Sequence, residues 1–111
     1  MDANMLRHDG LVDKVKQELI NRDITHLFDH VEYTRHQHSG EIDVYAQKDD
    51  YILLFEIKGK DNCHNYTKAV KQMTRAQNYF FGKGHRIFKF YVTYDKNNNV
   101  KYKWVKNYGK R

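Results

Sequence analysis

Proline is absent from this 111-residue sequence, and cysteine occurs only once. A single cysteine excludes an internal disulfide bond, which favours a reducing compartment: the cytoplasm, or the host cytoplasm if the protein is viral. No apolar run is long enough to span a membrane, and none has the form of a secretory signal. Linker-like segments, low-complexity segments and internal repeats are also missing. We therefore expect residues 1–111 to form one intracellular domain.

Acidic residues are scarce in the second half of the chain. Residues 1–59 contain 7 Lys or Arg and 12 Asp or Glu, whereas residues 60–111 contain 13 and 2, so the balance changes from −5 to +11. Many of these basic residues alternate with aromatic ones, as in residues 88–91 and 102–104. This pattern favours a polyanionic partner such as DNA, whose phosphates would make binding dependent on salt. Solvated surface lysines are the alternative interpretation for many of these positions.

Hydrophobic periodicity predicts seven secondary-structure elements. Apolar residues recur at helical spacing over residues 10–22, and a second helical stripe follows the capping pair Asp61-Asn62 and extends to Gly82. The strand-like segments are residues 29–36, 41–46, 51–58, 85–94 and 100–105. A helix between the third and fourth strands requires a crossover connection. We therefore expect a mixed sheet with one parallel pair and antiparallel hairpins.

Three carboxylates and a lysine lie on two neighbouring strands that are otherwise apolar. Residues 40–43 read Gly-Glu-Ile-Asp, and residues 55–58 read Phe-Glu-Ile-Lys. Strand alternation predicts that Ile42, Val44 and Ala46 share one face of the first strand, and that the acidic residues lie on the other. A short polar loop at residues 47–50 would pair the two strands as a hairpin.

This hairpin would bring Asp43 close to Glu56, with Lys58 one strand repeat away. Charges at the end of a buried strand are costly unless they are paired or bind a metal. Two neighbouring carboxylates also raise each other's pKa unless a cation compensates. The pattern therefore predicts a divalent-metal site. The alternative interpretation is three solvated charges on an exposed sheet face.

An aspartate followed by Glu-x-Lys at the end of an apolar strand resembles the signature of the PD-(D/E)xK nuclease superfamily. This group includes many restriction enzymes and the archaeal Holliday junction resolvases. The proline of the signature is absent here, and the Gly-Glu-Ile-Asp form of several small members stands in its place. The predicted element order also matches the αβββαβ core of the superfamily. The resemblance implies an α/β, restriction-endonuclease-like fold with a mixed central sheet flanked by helices.

The resemblance also implies a set of catalytic residues, namely Asp43, Glu56, Lys58 and Glu18. Asp43, Glu56 and the backbone carbonyl of Ile57 would hold Mg²⁺, for which Mn²⁺ usually substitutes, and no small-molecule cofactor is expected. Lys58 would orient or deprotonate the attacking water. Glu18, on the first helix, matches an acidic residue that small members place near the metal, or it is an ordinary helix-surface glutamate.

Glu41 has two interpretations. It is a candidate further metal ligand because it shares a predicted strand face with Asp43, and in the Gly-Glu-Ile-Asp form it can instead make a structural hydrogen bond. The histidines are scattered, and their spacing matches no structural zinc site. His36 and His38 precede the acidic strand and are candidates for DNA contact, although surface histidines without a role are the better interpretation.

The polar side of the second helix offers DNA-binding candidates. Gln72 and Arg75 are three residues apart and therefore neighbours on the helix surface. Related nucleases place such residues near the scissile phosphate, which favours a functional role for this pair. Lys68, Lys71 and Lys60 would add to phosphate binding. A solvated helix face explains Lys68 and Lys71 equally well.

In size and layout the chain is closest to the junction resolvases, which act in DNA recombination and repair. We therefore expect a homodimeric, structure-selective DNA endonuclease. Tyr91, Tyr102 and Trp104 are candidates for the two-fold interface, with core packing as an equal alternative. Other hypotheses are a general replication, repair or defence nuclease that acts on flaps, nicks or ends, and a catalytically inactive DNA-binding protein of the same fold.

Overall fold

The computed structural model describes residues 3–35, 38–80 and 86–106. Within these ranges, two helices and five strands follow one another as α1 (Ala3–Asn21), β1 (His26–Arg35), β2 (His38–Lys48), β3 (Tyr51–Ile57), α2 (Cys63–Phe80), β4 (Arg86–Tyr94) and β5 (Val100–Val105). The strands form one sheet in chain order. β3 and β4 pair in parallel, and the other neighbouring strands of the described part of the chain are antiparallel. The predicted α/β fold is confirmed, with a mixed five-stranded sheet and an element order that contains the αβββαβ core.

The largest difference from the predicted boundaries lies in α1, which begins at Ala3 rather than at residue 10. β1 and β2 also extend beyond their apolar residues because the two strands pair with each other from His26–Gln47 to Arg35–His38. The β2–β3 turn is tighter than predicted, and its two residues include Asp49 with a left-handed backbone. Three predicted features, His36, Gly82 and His85, lie outside the described residues.

The two helices cover opposite faces of the sheet. Leu11, Val12, Val15 and Leu19 of α1 pack in one buried cluster with residues of β2, β3 and β4. Ala69, Met73 and Ala76 of α2 pack in a second cluster on the other face. The amphipathic stripes seen in the sequence thus supply the two cores. Among the described residues, neither helix combines the length and the apolarity that crossing a membrane requires.

The side-chain alternation of β2 breaks at Asp43. Ile42 belongs to the cluster under α2, whereas Val44 and Ala46 belong to the cluster under α1. The prediction that these three residues share one face is therefore wrong. The β1–β2 ladder also skips this point, since it pairs residues 29 with 44 and 31 with 42 but not His30 with Asp43. A regular two-residue alternation requires continuous pairing, and the pairing is interrupted here.

The N-terminus of α2 is capped by Asn62. Its side-chain Oδ1 accepts a hydrogen bond from the backbone N–H of Asn65 at 2.8 Å, and its carbonyl accepts the first helical bond from Tyr66 at 2.9 Å. This satisfies one of the free donors in the first helical turn. Of the predicted capping pair, Asn62 is the cap. Asp61 instead accepts hydrogen bonds from Tyr91 and Lys101.

Candidate active site

Asp43 lies where β2 and β3 separate. The β2–β3 ladder ends at the pair Val44–Phe55, and beyond it the Oδ2 atom of Asp43 accepts a hydrogen bond from the backbone N–H of Ile57 at 2.8 Å. A carboxylate oxygen thus takes the place of a backbone carbonyl. The bond fixes a buried acid at the edge of the gap between the strands. A charged acceptor of this kind makes a stronger hydrogen bond than a neutral one.

Glu56 is buried beside Asp43, with only 3 % of its surface exposed. Burial is the main cause that raises the pKa of Glu56 to about 8, and the charge of Asp43 raises it further. Lys58 opposes this shift, since its Nζ lies 3.7 Å from Glu56 Oε2. The structure therefore brings Asp43, Glu56 and Lys58 together.

The oxygens of this group suit a hard divalent cation. Within the described residues, Oε1 of Glu56 is buried and has no hydrogen-bond partner. A buried polar atom without a partner is costly, and a cation would compensate it. Asp43 and Glu56 supply only oxygen ligands, the donor type that Mg²⁺ and Mn²⁺ accept. The residues present therefore fit the expected metal.

His8 of α1 reaches this site. Its Nε2 lies 3.5 Å from Oδ2 of Asp43 and its Nδ1 lies 3.4 Å from Oδ1 of Asp9. The interaction with Asp43 is the main cause that raises the pKa of His8 to about 9, against a smaller opposing effect of burial. Oδ2 of Asp43 is thus contacted both by a backbone N–H and by an imidazole.

Glu18 is not brought to the carboxylates. Ten residues separate it from His8, which corresponds to about 15 Å along the helix axis. Its Oε2 instead lies 3.3 Å from Nε of Arg22, and its charge acts on Tyr102 of β5. The interpretation of Glu18 as a helix-surface glutamate agrees with this placement. The N-terminal part of α1, which begins at Ala3, instead places His8 beside Asp43.

Glu41 and His30 extend the site along the β1–β2 hairpin. Nδ1 of His30 lies 3.6 Å from Oε2 of Glu41. His30, Glu41 and Asp43 each offer a possible metal-ligating atom, and these atoms all lie within 4.8 Å of one another. Glu41 also contributes to the raised pKa of Glu56. The structure thus places Glu41 at the site.

Gln72 connects α2 to the acidic strand. Its side-chain Nε2 donates a hydrogen bond to the carbonyl of Glu41 at 3.0 Å, and its own carbonyl accepts one from the Tyr33 hydroxyl at 2.9 Å. A Cβ atom added to Gly40 would lie 2.5 Å from that hydroxyl, so the close approach of Tyr33 requires glycine at this position. Gln72 therefore positions α2 relative to the site.

The predicted basic contacts remain on the surface. Arg75 and the lysines at positions 60, 68 and 71 are exposed, as a DNA-binding role and a solvated helix face both require. The aromatic candidates separate into two groups. Tyr91 is buried and donates a hydrogen bond to Asp61, which fits core packing, whereas Tyr102 and Trp104 are exposed.

Two residues at the site, His8 and His30, were not predicted from the sequence. Neither stands in a motif, because their relevance depends on which helix turn and which strand lie beside Asp43. The sequence contained one indirect signal, namely Asp43 inside an apolar strand. A buried acid of this kind requires polar or charged partners. Those partners come from elements that the local sequence does not identify.

Comparison with known proteins relates part of this chain to a UPF0102 protein. The UPF0102 protein of Campylobacter hominis is 33% identical over 73 residues, which cover 66% of this chain and 60% of that protein. No family model matches the chain. The name of this relative states no activity. Over about two thirds of its length, this chain is a distant relative of a UPF0102 protein.

Proposed function

We propose that this chain is a metal-dependent DNA endonuclease of the PD-(D/E)xK kind. The observation that carries the proposal is the convergence of buried Asp43 and Glu56 with Lys58 at the point where two strands separate. A structural role alone would not require a buried glutamate whose Oε1 lacks a hydrogen-bond partner among the described residues. The resemblance of residues 40–43 and 55–58 to the superfamily signature supports the same conclusion.

Each residue of the site has a role that follows from its position. Asp43, Glu56 and the Ile57 carbonyl would hold Mg²⁺ or Mn²⁺. When bound, such an ion acidifies its water ligand and neutralises charge on the phosphate. Lys58, which is only partly buried, would orient the attacking water and donate to the oxygen on which negative charge develops. His8 and the Ile57 N–H hold the Asp43 carboxylate in place.

The preferred substrate in this proposal is branched DNA cut by a homodimer. The small size of the chain and its likeness in layout to the junction resolvases support this choice. The basic second half of the chain, with exposed Arg75 on α2, supports contact with DNA phosphates. The exposed Tyr102 and Trp104 are the candidates for a contact between two copies.

The experiment is a cleavage assay with purified protein on a four-way junction, a flap, a linear duplex and single-stranded DNA. We expect scission with Mg²⁺ or Mn²⁺ and none with EDTA. Paired symmetric nicks would identify junction resolution, and cuts confined to flaps or ends would identify a general repair or defence nuclease. Binding without scission under every metal condition would contradict the proposal and favour an inactive DNA-binding protein.

Two matched variants distinguish a catalytic role of Lys58 from a general effect of removing a positive charge. Lys58→Ala should abolish cleavage, because it removes the only lysine beside Glu56 among the described residues. Lys48→Ala removes an exposed lysine from the β2 end of the same hairpin and should leave cleavage unchanged. Equal activity of the two variants would remove Lys58 from the mechanism.

A further inference from the structure

We propose that His30, Glu41 and Asp43 form a second cation position, and that its imidazole ligand makes this position favour Mn²⁺ over Mg²⁺. The inference rests on the proposed function, since Asp43 would belong to both cation positions. It adds one metal ligand, His30, that the resemblance does not supply. It also assigns a role to Glu41, which the sequence left undecided.

The geometry of the three side chains supports this position. Their ligand atoms lie within 4.8 Å of one another, close enough for one ion to contact all three after small rotations. Nδ1 of His30 and Oε2 of Glu41 are 3.6 Å apart. Asp43 is buried at the base of the group, whereas about half of each of the other two side chains is exposed. An ion could therefore enter from solvent and be held by a fixed carboxylate.

Asp43 has an oxygen available for a second ion. Within the described residues, the contacts with Ile57 N–H and with His8 both fall on Oδ2. Its Oδ1 accepts no hydrogen bond there. Carboxylates that bridge two ions are common in two-metal phosphodiesterase sites.

A second observation concerns Glu56, which lies outside the cluster of His30, Glu41 and Asp43. Glu56 is almost completely buried, and its Oε1 has no partner within the described part of the chain. Three carboxylates thus meet here, at positions 41, 43 and 56. The side chains of Lys58, His8 and His30 lie next to them. A divalent ion among the three carboxylates would reduce the repulsion between them.

The ligand types determine the preference between metals. Mg²⁺ requires oxygen ligands in a nearly ideal octahedron and keeps several waters. Imidazole nitrogen suits transition metals better, and Mn²⁺ accepts both nitrogen and oxygen donors. A position that includes His30 should therefore bind Mn²⁺ more tightly than Mg²⁺.

The test is pulsed electron paramagnetic resonance of Mn²⁺ bound to the metal-free protein, which detects a directly coordinated nitrogen. The variant is His30→Asn, because His30 has a φ of 52° and asparagine tolerates this left-handed backbone. The control is His64→Asn, which changes an exposed histidine on α2. Circular dichroism would show whether both variants are folded.

We expect a nitrogen signal in the unmodified protein and in His64→Asn, and its loss in His30→Asn. Titration calorimetry should show that Mn²⁺ binding at one position weakens at least about tenfold in His30→Asn, with little change for Mg²⁺. A nitrogen signal that persists in His30→Asn, or is absent from the unmodified protein, would overturn the inference.

The failure of this inference differs from the failure of the proposed function. DNA cleavage without a nitrogen signal would overturn the second cation position and leave the nuclease proposal intact. A nitrogen signal that depends on His30, in a protein that cuts no DNA with any metal, would support the cation position and contradict the nuclease proposal.

Discussion

Replacing Glu56 with glutamine should stabilise the metal-free protein at neutral pH. The pKa of the buried Glu56 is raised from 4.5 to about 8, chiefly by burial and secondly by Asp43. In the unfolded chain this glutamate loses its proton near pH 4.5, whereas in the folded protein it retains the proton up to about pH 8. The free energy of unfolding must therefore fall as the pH rises through this interval. Glutamine has nearly the same shape and does not ionise, so this loss is absent from the variant.

The magnitude follows from the interval between the two pKa values. Each pH unit above 4.5 costs about 1.4 kcal/mol until the folded group also ionises, so at pH 7 the loss is about 3 kcal/mol. For a chain of this size that corresponds to a difference in melting temperature of about 10 °C. The pKa of His8 is raised as well, so its stabilisation is lost between about pH 6.5 and 9 in both proteins. This decline in stability from His8 should be the same in the unmodified protein and in the glutamine variant.

The assay is thermal unfolding followed by circular dichroism in EDTA from pH 4.5 to 8. We expect the two proteins to have similar melting temperatures at pH 4.5. Above this pH, the melting temperature of the glutamine variant should exceed that of the unmodified protein by an increasing amount. The control is Glu32→Gln, which neutralises an exposed glutamate on β1 and should follow the unmodified protein. Adding Mn²⁺ should raise the melting temperature of the unmodified protein more than that of the variant. Parallel pH profiles for the two proteins would refute the assignment of Glu56 as a buried acid under electrostatic strain.

Three further substitutions test individual contacts. His8→Gln should lower the melting temperature at pH 6, where the pair with Asp43 is fully formed, and the deficit should shrink as the pH rises through about 9; an equal deficit at both ends would contradict the pairing. Gly40→Ala should lower the free energy of unfolding in urea by about 1–3 kcal/mol, because buried Tyr33 would have to move. An unchanged free energy of unfolding would show that Tyr33 can move without cost. Asn62→Ala should cost about 1 kcal/mol in the same measurement through loss of the cap, whereas Asn62→Asp should retain most of the stability.

Most of the sheet could be predicted from the sequence because strand signals are local. The apolar run of β3 and the polar residues of the β2–β3 turn each indicate their structure without reference to distant residues. The crossover helix α2 then determines that β3 and β4 are parallel. The lengths of α1 and of the β1–β2 hairpin were underestimated. The additional residues are stabilised by backbone hydrogen bonds within the helix and between the strands, and these leave no apolar pattern in the sequence.

The sequence by itself determined that Asp43 and Glu56 stand on neighbouring strands, with Lys58 directly after the second strand, since a short hairpin connects the strands and its register depends on few residues. Only the tertiary structure decided which residues surround Asp43. His8 comes from a helix packed against the sheet and His30 from an adjacent strand whose ladder is interrupted. Such contacts depend on how whole elements dock, and docking results from the sum of many burial contributions across the two cores. No local pattern of residues shows how α1 docks on the sheet. The sequence therefore indicated Glu18 as the residue of α1 at the site, whereas the fold places His8 there.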